Sequence, residues 1–151
     1  MKNPVTADDL IALLDQALDS PTVQGIMDRL GPWEEGEKGR DDEKMFFKRA
    51  AHGIDLVFCN DILEAIHLYS DIGLGRQQEG YSQYSFELPD GFVFGEPKSG
   101  IADRLGKPAI GSGVYWGIYR FDDHAVRVGY TGDVLSHLNV LSLNSDILTD
   151  G

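Results

Sequence analysis

Cysteine is almost missing from this chain: Cys59 is the single one in 151 residues, which excludes an intramolecular disulfide framework. Basic residues are scarce as well. Against 25 Asp plus Glu stand 13 Lys plus Arg, and the net charge of −12 excludes nucleic-acid binding by a basic surface. No apolar run approaches the roughly 18 residues that a membrane helix needs, and no basic stretch leads into an apolar one near the N-terminus. The expectation is a soluble, cytoplasmic protein that engages neither nucleic acid nor membrane. What is present suffices to build one core: the content is 42% hydrophobic and 10% aromatic, in a length suited to a single domain over residues 1–151.

Local catalytic motifs are also wanting. The stretch from Gly73 to Gly80 has a superficial likeness to a dinucleotide loop, but Gln78 stands where the third glycine belongs and no βαβ pattern surrounds it. There is no phosphate-binding loop ending in Lys-Ser or Lys-Thr and no nucleophile elbow around a serine. Cys59 precedes an Asn-Asp turn with no base placed near it, so a structural or surface thiol is the better reading. Among His52, His67, His124 and His137, the cluster Asp122-Asp123-His124 comes nearest to a metal motif, and a polar turn explains it more simply.

Regular elements are readable from pattern. Thr6 and Asp9 have capping-box spacing, and Leu10, Leu13, Leu14, Ala17 and Leu18 recur at helical intervals, predicting a helix over 7–19. Ser20 and Pro21 open a second, shorter helix that ends at Gly31. Residues 33–44 carry too much charge to pack and read as a surface loop holding Glu34, Glu35, Asp41 and Asp42. Three strands follow, over 45–49, 54–58 and 62–69.

That order recurs. Asp28-Arg29-Leu30-Gly31 returns as Asp103-Arg104-Leu105-Gly106, His52 to Leu56 aligns with His124 to Val128, and Asn60 to Leu63 aligns with Gly132 to Leu135. A helix over 98–105 and strands over 114–121, 125–130 and 134–143 complete the second copy. The expected fold is α+β, two tandem repeats of short helices followed by an antiparallel sheet, with half-repeats 1–72 and 96–151 joined by a connector over 73–95. The connector interleaves glycines with Tyr81, Tyr84, Phe86, Phe92 and Phe94, aromatics that need a hydrophobic surface to cover.

Alternation along the strands puts Ile62, Ile66 and Leu68 on one face and Leu63, Ala65, His67 and Tyr69 on the other. In the second copy, Val134, Leu138 and Val140 oppose Leu135, His137, Asn139 and Leu141. The mixed faces, joined by Asp55 and Arg127, have the makeup of a recognition surface, with Tyr115 and Tyr119 as candidate members. The competing reading buries Tyr69 and His67 under the connector.

The stretch Leu-Pro-Asp-Gly-Phe-Val-Phe-Gly over 88–95, the short helix ending Leu-Gly-Lys-Pro and the strand hairpin after it resemble small bacterial proteins linked to toxin systems, suspected immunity proteins. The tandem helix-then-sheet plan is similar to the fold of the β-lactamase inhibitor protein and of small outer-membrane assembly lipoproteins. The resemblance implies a protein that grips another protein by a sheet face.

The function expected is therefore a non-enzymatic immunity or inhibitor protein. It would bind a protein partner such as a basic toxin domain through Asp55, His67, Tyr69, Tyr115, Tyr119, Arg127, His137 and Asn139. Glu34, Glu35, Asp41 and Asp42 would steer the encounter, with no cofactor or metal. Two alternatives stay open: an assembly or scaffold protein, and a small metal-assisted hydrolase using His124, His137, Asp122 and Asp123.

Overall fold

The computed structural model describes residues 4–38, 44–72, 80–145 and 148. Helix α1 (Ala7–Ile11) is opened by a reciprocal cap: the Thr6 hydroxyl accepts from the Asp9 N–H while the Asp9 carboxylate accepts from the Thr6 N–H. The helix ends at Ile11, well short of the expected Asp19. Asp15 turns the chain with φ 66°, its N–H donates to the Leu63 carbonyl, and the Leu18 N–H donates to Asp61. Those tertiary backbone bonds, together with full burial of Leu13, override the helical periodicity of the segment. Helix α2 (Pro21–Leu30) is capped by the Ser20 hydroxyl, has proline at its first position, and buries Val23, Ile26 and Leu30.

Four strands follow: β1 (Glu34–Lys38), β2 (Lys44–Arg49), β3 (Ile54–Cys59) and β4 (Ile62–Tyr69). The second half contributes α3 (Lys98–Leu105), β5 (Trp116–Arg120), β6 (Ala125–Thr131) and β7 (Val134–Leu141). Strand β1 corrects the expectation of an unstructured loop around Glu34 and Glu35. Glu34 pairs with Lys48 and Glu35 with Phe47, because an edge strand needs a ladder partner on one side and tolerates charge on the other. Asp41 and Asp42 lie outside the described residues, as do the glycine-rich positions 73–79.

The fold is α+β. Among the described residues the strands form one antiparallel sheet in the order β1-β2-β3-β4-β7-β6-β5, so the two halves meet where β4 pairs with β7. The outer edge of β5 is covered: the Ala109 N–H donates to the Ile118 carbonyl, and the Ile118 N–H donates to Ile110. Helices and connector pack on one face, where Leu10, Val23, Ile26 and Ile101 meet Leu56, Ile66, Val128 and Leu138. Full burial of each such side chain contributes about 1.5–3 kcal/mol. The connector's Tyr84, Leu88 and Phe92 join this core, so its described part, residues 80–95, is a packed layer of irregular backbone. It is seated by Gly53, whose φ of +65° and missing side chain let the Ser82 carbonyl and Tyr84 N–H approach; a Cβ there would stand 2.2 Å from that carbonyl.

Candidate binding face

Strand alternation and register together build a polar row on the sheet face away from the helices. Asp55 lies opposite His67, His67 opposite Asn139, and Asn139 opposite Arg127, so four strands place four polar side chains in line. Lys48, opposite Asp55, and Glu34, opposite Lys48, extend the line to the β1 edge. Beside it Tyr69 lies opposite His137, His137 opposite Gly129, and Gly129 opposite Trp116.

This face is only partly open, which corrects the expectation of a uniformly exposed surface. Asp55 is 1% exposed, and Tyr69 and Asn139 are also buried. The cause is the connector. The Tyr81 hydroxyl donates to Asp55 Oδ1 at 2.6 Å and the Tyr69 hydroxyl to Oδ2 at 3.0 Å, with the two rings edge to face 4.9 Å apart. Each such bond to a buried carboxylate is worth about 1.5–3 kcal/mol, so the three residues form a braced floor and not a contact surface. A second apolar patch, with Val57, Ala65, Ile118, Ala125 and Leu141 under Leu148, closes another part of the same face.

Above the floor, His67, His137, Arg127 and Trp116 are half-exposed. His67 and His137 have ring centroids 6.2 Å apart, and Tyr69 meets His137 edge to face at 5.1 Å. The His137 Nε2 donates to Asn139 Oδ1 at 2.7 Å, which fixes that ring's orientation. The Arg127 guanidinium lies 5.0 Å over the Trp116 ring, and burial holds its pKa below the ordinary arginine value. The arrangement presents two imidazoles, one guanidinium and one indole on a stiff base.

Two tyrosines depart from the expected face. Tyr119 is buried in the main core on the helix side, where its hydroxyl donates to the Gly106 carbonyl; burial raises the pKa of that hydroxyl. Trp116 and Ile118 take the other side of β5, so strand parity assigns Tyr119 to the core. Tyr115 precedes β5 and is 76% exposed, next to exposed Val114. Glu34 is exposed on β1, and Glu35 contributes its backbone to the same strand.

Sequence reasoning passed over Trp116, Lys48 and Tyr81 as members of this face. The signal for Trp116 was its shared parity with Ile118. Tyr81 carried none beyond its place among aromatics that needed a surface.

The groups considered for a metal-assisted hydrolase are apart. His137 lies opposite Gly129 toward one end of β6, while His124 precedes Ala125 at the other end and is held between Asp90 and Asp123. Among the described residues, no group of three or more His, Cys, Asp or Glu side chains is placed to hold a metal ion, and no helix is long and apolar enough to cross a membrane. Comparison of the chain with protein-family models, with curated proteins and with solved structures finds no match.

Proposed function

We propose that the chain is a non-enzymatic protein-binding protein, an immunity or inhibitor protein that neutralises a bacterial toxin. The observation that carries this reading is the half-exposed group His67, His137, Arg127 and Trp116 above the Asp55–Tyr69–Tyr81 floor. Aromatic and arginine side chains held rigid lose little conformational entropy on docking, and such residues dominate the energetics of protein interfaces. The bracing beneath supplies that rigidity. Exposed Tyr115 and Val114 extend the contact beyond the sheet.

The charge of −12 supports a basic partner, because opposite net charge accelerates encounter and does so less as salt rises. Arg127 and Lys48 sit within the face itself, so local contacts there would favour acidic or aromatic groups of the partner, with the overall charge acting at longer range.

The test is capture of partners by a tagged full chain at a series of salt concentrations. The reading expects one basic protein in stoichiometric amount, with an association rate that falls steeply as salt increases. Self-association alone, seen as a concentration-dependent mass in sedimentation, would replace this reading with that of a scaffold.

A further inference from the structure

We propose that His124 is a proton-operated latch, holding the connector turn Pro89–Gly91 against the turn between β5 and β6 and releasing the connector when it loses its second ring proton. Its geometry carries the inference. The His124 Nε2 lies 2.6 Å from Asp90 Oδ2 and the Nδ1 lies 2.5 Å from Asp123 Oδ1. An ionised carboxylate accepts and never donates, so both ring nitrogens must carry protons and the ring is an imidazolium. The residue is 3% exposed, its ring stacks on Phe121 at 5.0 Å, and the Asp90 side of the pair is largely shielded from water while the Asp123 carboxylate stands in solvent.

The charged groups facing the ring are Asp90, from the connector, and Asp123, from its own turn. Burial works against the charged ring, but the hydrogen bonds and charges of those two carboxylates outweigh it, and the His124 pKa stands above the ordinary histidine value. The hydrogen bond from His124 holds the Asp123 carboxyl below its ordinary range.

The sign follows from linkage. A raised histidine pKa contributes stability that is complete below the ordinary value of about 6.5 and is lost as pH rises through the folded-state value. Within that window, opening releases one proton. After release one nitrogen turns a lone pair toward a carboxylate, and an attraction becomes a repulsion.

A second feature marks the connector side as poised. Asp90 has φ 57°, in the left-handed region that aspartate and asparagine tolerate better than other non-glycine residues, and this turn aims its carboxylate at the His124 ring. The turn is the Pro-Asp-Gly of the segment 88–95, and it lies beside a groove of about 550 Å³ lined by Tyr84, Phe86, Leu88, Phe92 and Phe94. Release of the latch would loosen this aromatic layer while the sheet ladders persist.

The experiment is amide hydrogen exchange of the full chain between pH 5.5 and 9, corrected for intrinsic exchange, alongside a proton NMR titration of His124. In the expected result, protection of residues 86–94 falls by up to tenfold per pH unit between the open-state and folded-state titrations of His124, while β3 and β4 keep theirs. Asp90→Asn, which tolerates the left-handed backbone and can still accept one hydrogen bond, should lower the His124 midpoint and shift the transition to lower pH. His124 titrating at or below the ordinary value, or protection of 86–94 constant across its titration, would overturn the latch. So would an Asp90→Asn chain with the wild-type transition.

Discussion

The hydroxyl of Tyr81 donates to the carboxylate of Asp55 at 2.6 Å, and that bond ties the connector to β3 beside the backbone bonds from Ser82 to Ala50 and from Tyr84 to Tyr69. It joins a residue of the irregular layer to a strand buried on both faces. The aromatic connector is thereby part of the floor under His67 and His137.

Removing the Tyr81 hydroxyl with Tyr81→Phe should lower stability by about 1.5–3 kcal/mol, the range for a hydrogen bond to a charged group. Urea denaturation reads this directly. A loss below about 0.5 kcal/mol would mean that the bond contributes little net stability, whatever its geometry.

Tyr69 and Tyr119 should behave as core residues. Each is buried, one under the connector and one beneath α3, so Tyr69→Ala and Tyr119→Ala should each cost about 3–5 kcal/mol, as large aromatic truncations do. Thermal unfolding separates this from a binding role, which would leave the melting temperature intact.

Gly53→Ala should be more damaging than a surface glycine substitution. A methyl group there would collide with the Ser82 carbonyl and the Tyr84 N–H while the backbone stays at positive φ. The expected loss is at least the roughly 1–3 kcal/mol of a strained backbone position, seen as a lower urea midpoint. Gly132→Ala, with φ +61° and open space around it, supplies the comparison and should cost less.

Acid should loosen the first turn of the molecule. The Thr6 backbone and hydroxyl and the nearby Arg29 hold the Asp9 carboxyl below its ordinary range, so the cap's contribution is present above the unfolded carboxylate pKa and is lost as pH falls through the depressed value. Amide exchange of residues 9–11, corrected for intrinsic rate, should rise below about pH 4, and Asp9→Asn should remove much of that dependence.

Alternation placed Asp55, His67, Arg127 and Asn139 on one face, as the structure has them, but it also put Leu63 and Leu135 there, and both pack in the helix-side core because bulges at Val57/Phe58 and Gly129/Tyr130 shift the parity. The central ladder pairs His67 with Asn139, which joins the two halves in one sheet but does not establish the tandem repeat expected from the sequence. The halves are unequal even so, since the first adds α1 and β1, which have no counterpart among the described residues of the second.

Exposure was not readable, for a physical reason. Parity tells which side of a sheet a residue takes but not what lies on it. A connector without periodicity gives no hint that Tyr81 covers Asp55, or that Leu148 lies over Val57 and Leu141. Helix α1 was overextended because the backbone bonds of Asp15 and Leu18 to the turn before β4 are tertiary, invisible to local pattern. The His124 cluster looked like a simple polar turn because its second carboxylate, Asp90, comes from a distant segment.

The binding role of this face is tested by partner affinity measured for the chain and for a double variant, His67→Ala with Arg127→Ala, after both are shown to melt alike. Both substitutions remove half-exposed groups above the floor and leave Asp55, Tyr69 and Tyr81 in place. The captured partner should bind the double variant at least about a hundredfold more weakly, a loss of about 2.7 kcal/mol. Equal affinity in a correctly folded variant would contradict the assignment of this face as the binding site.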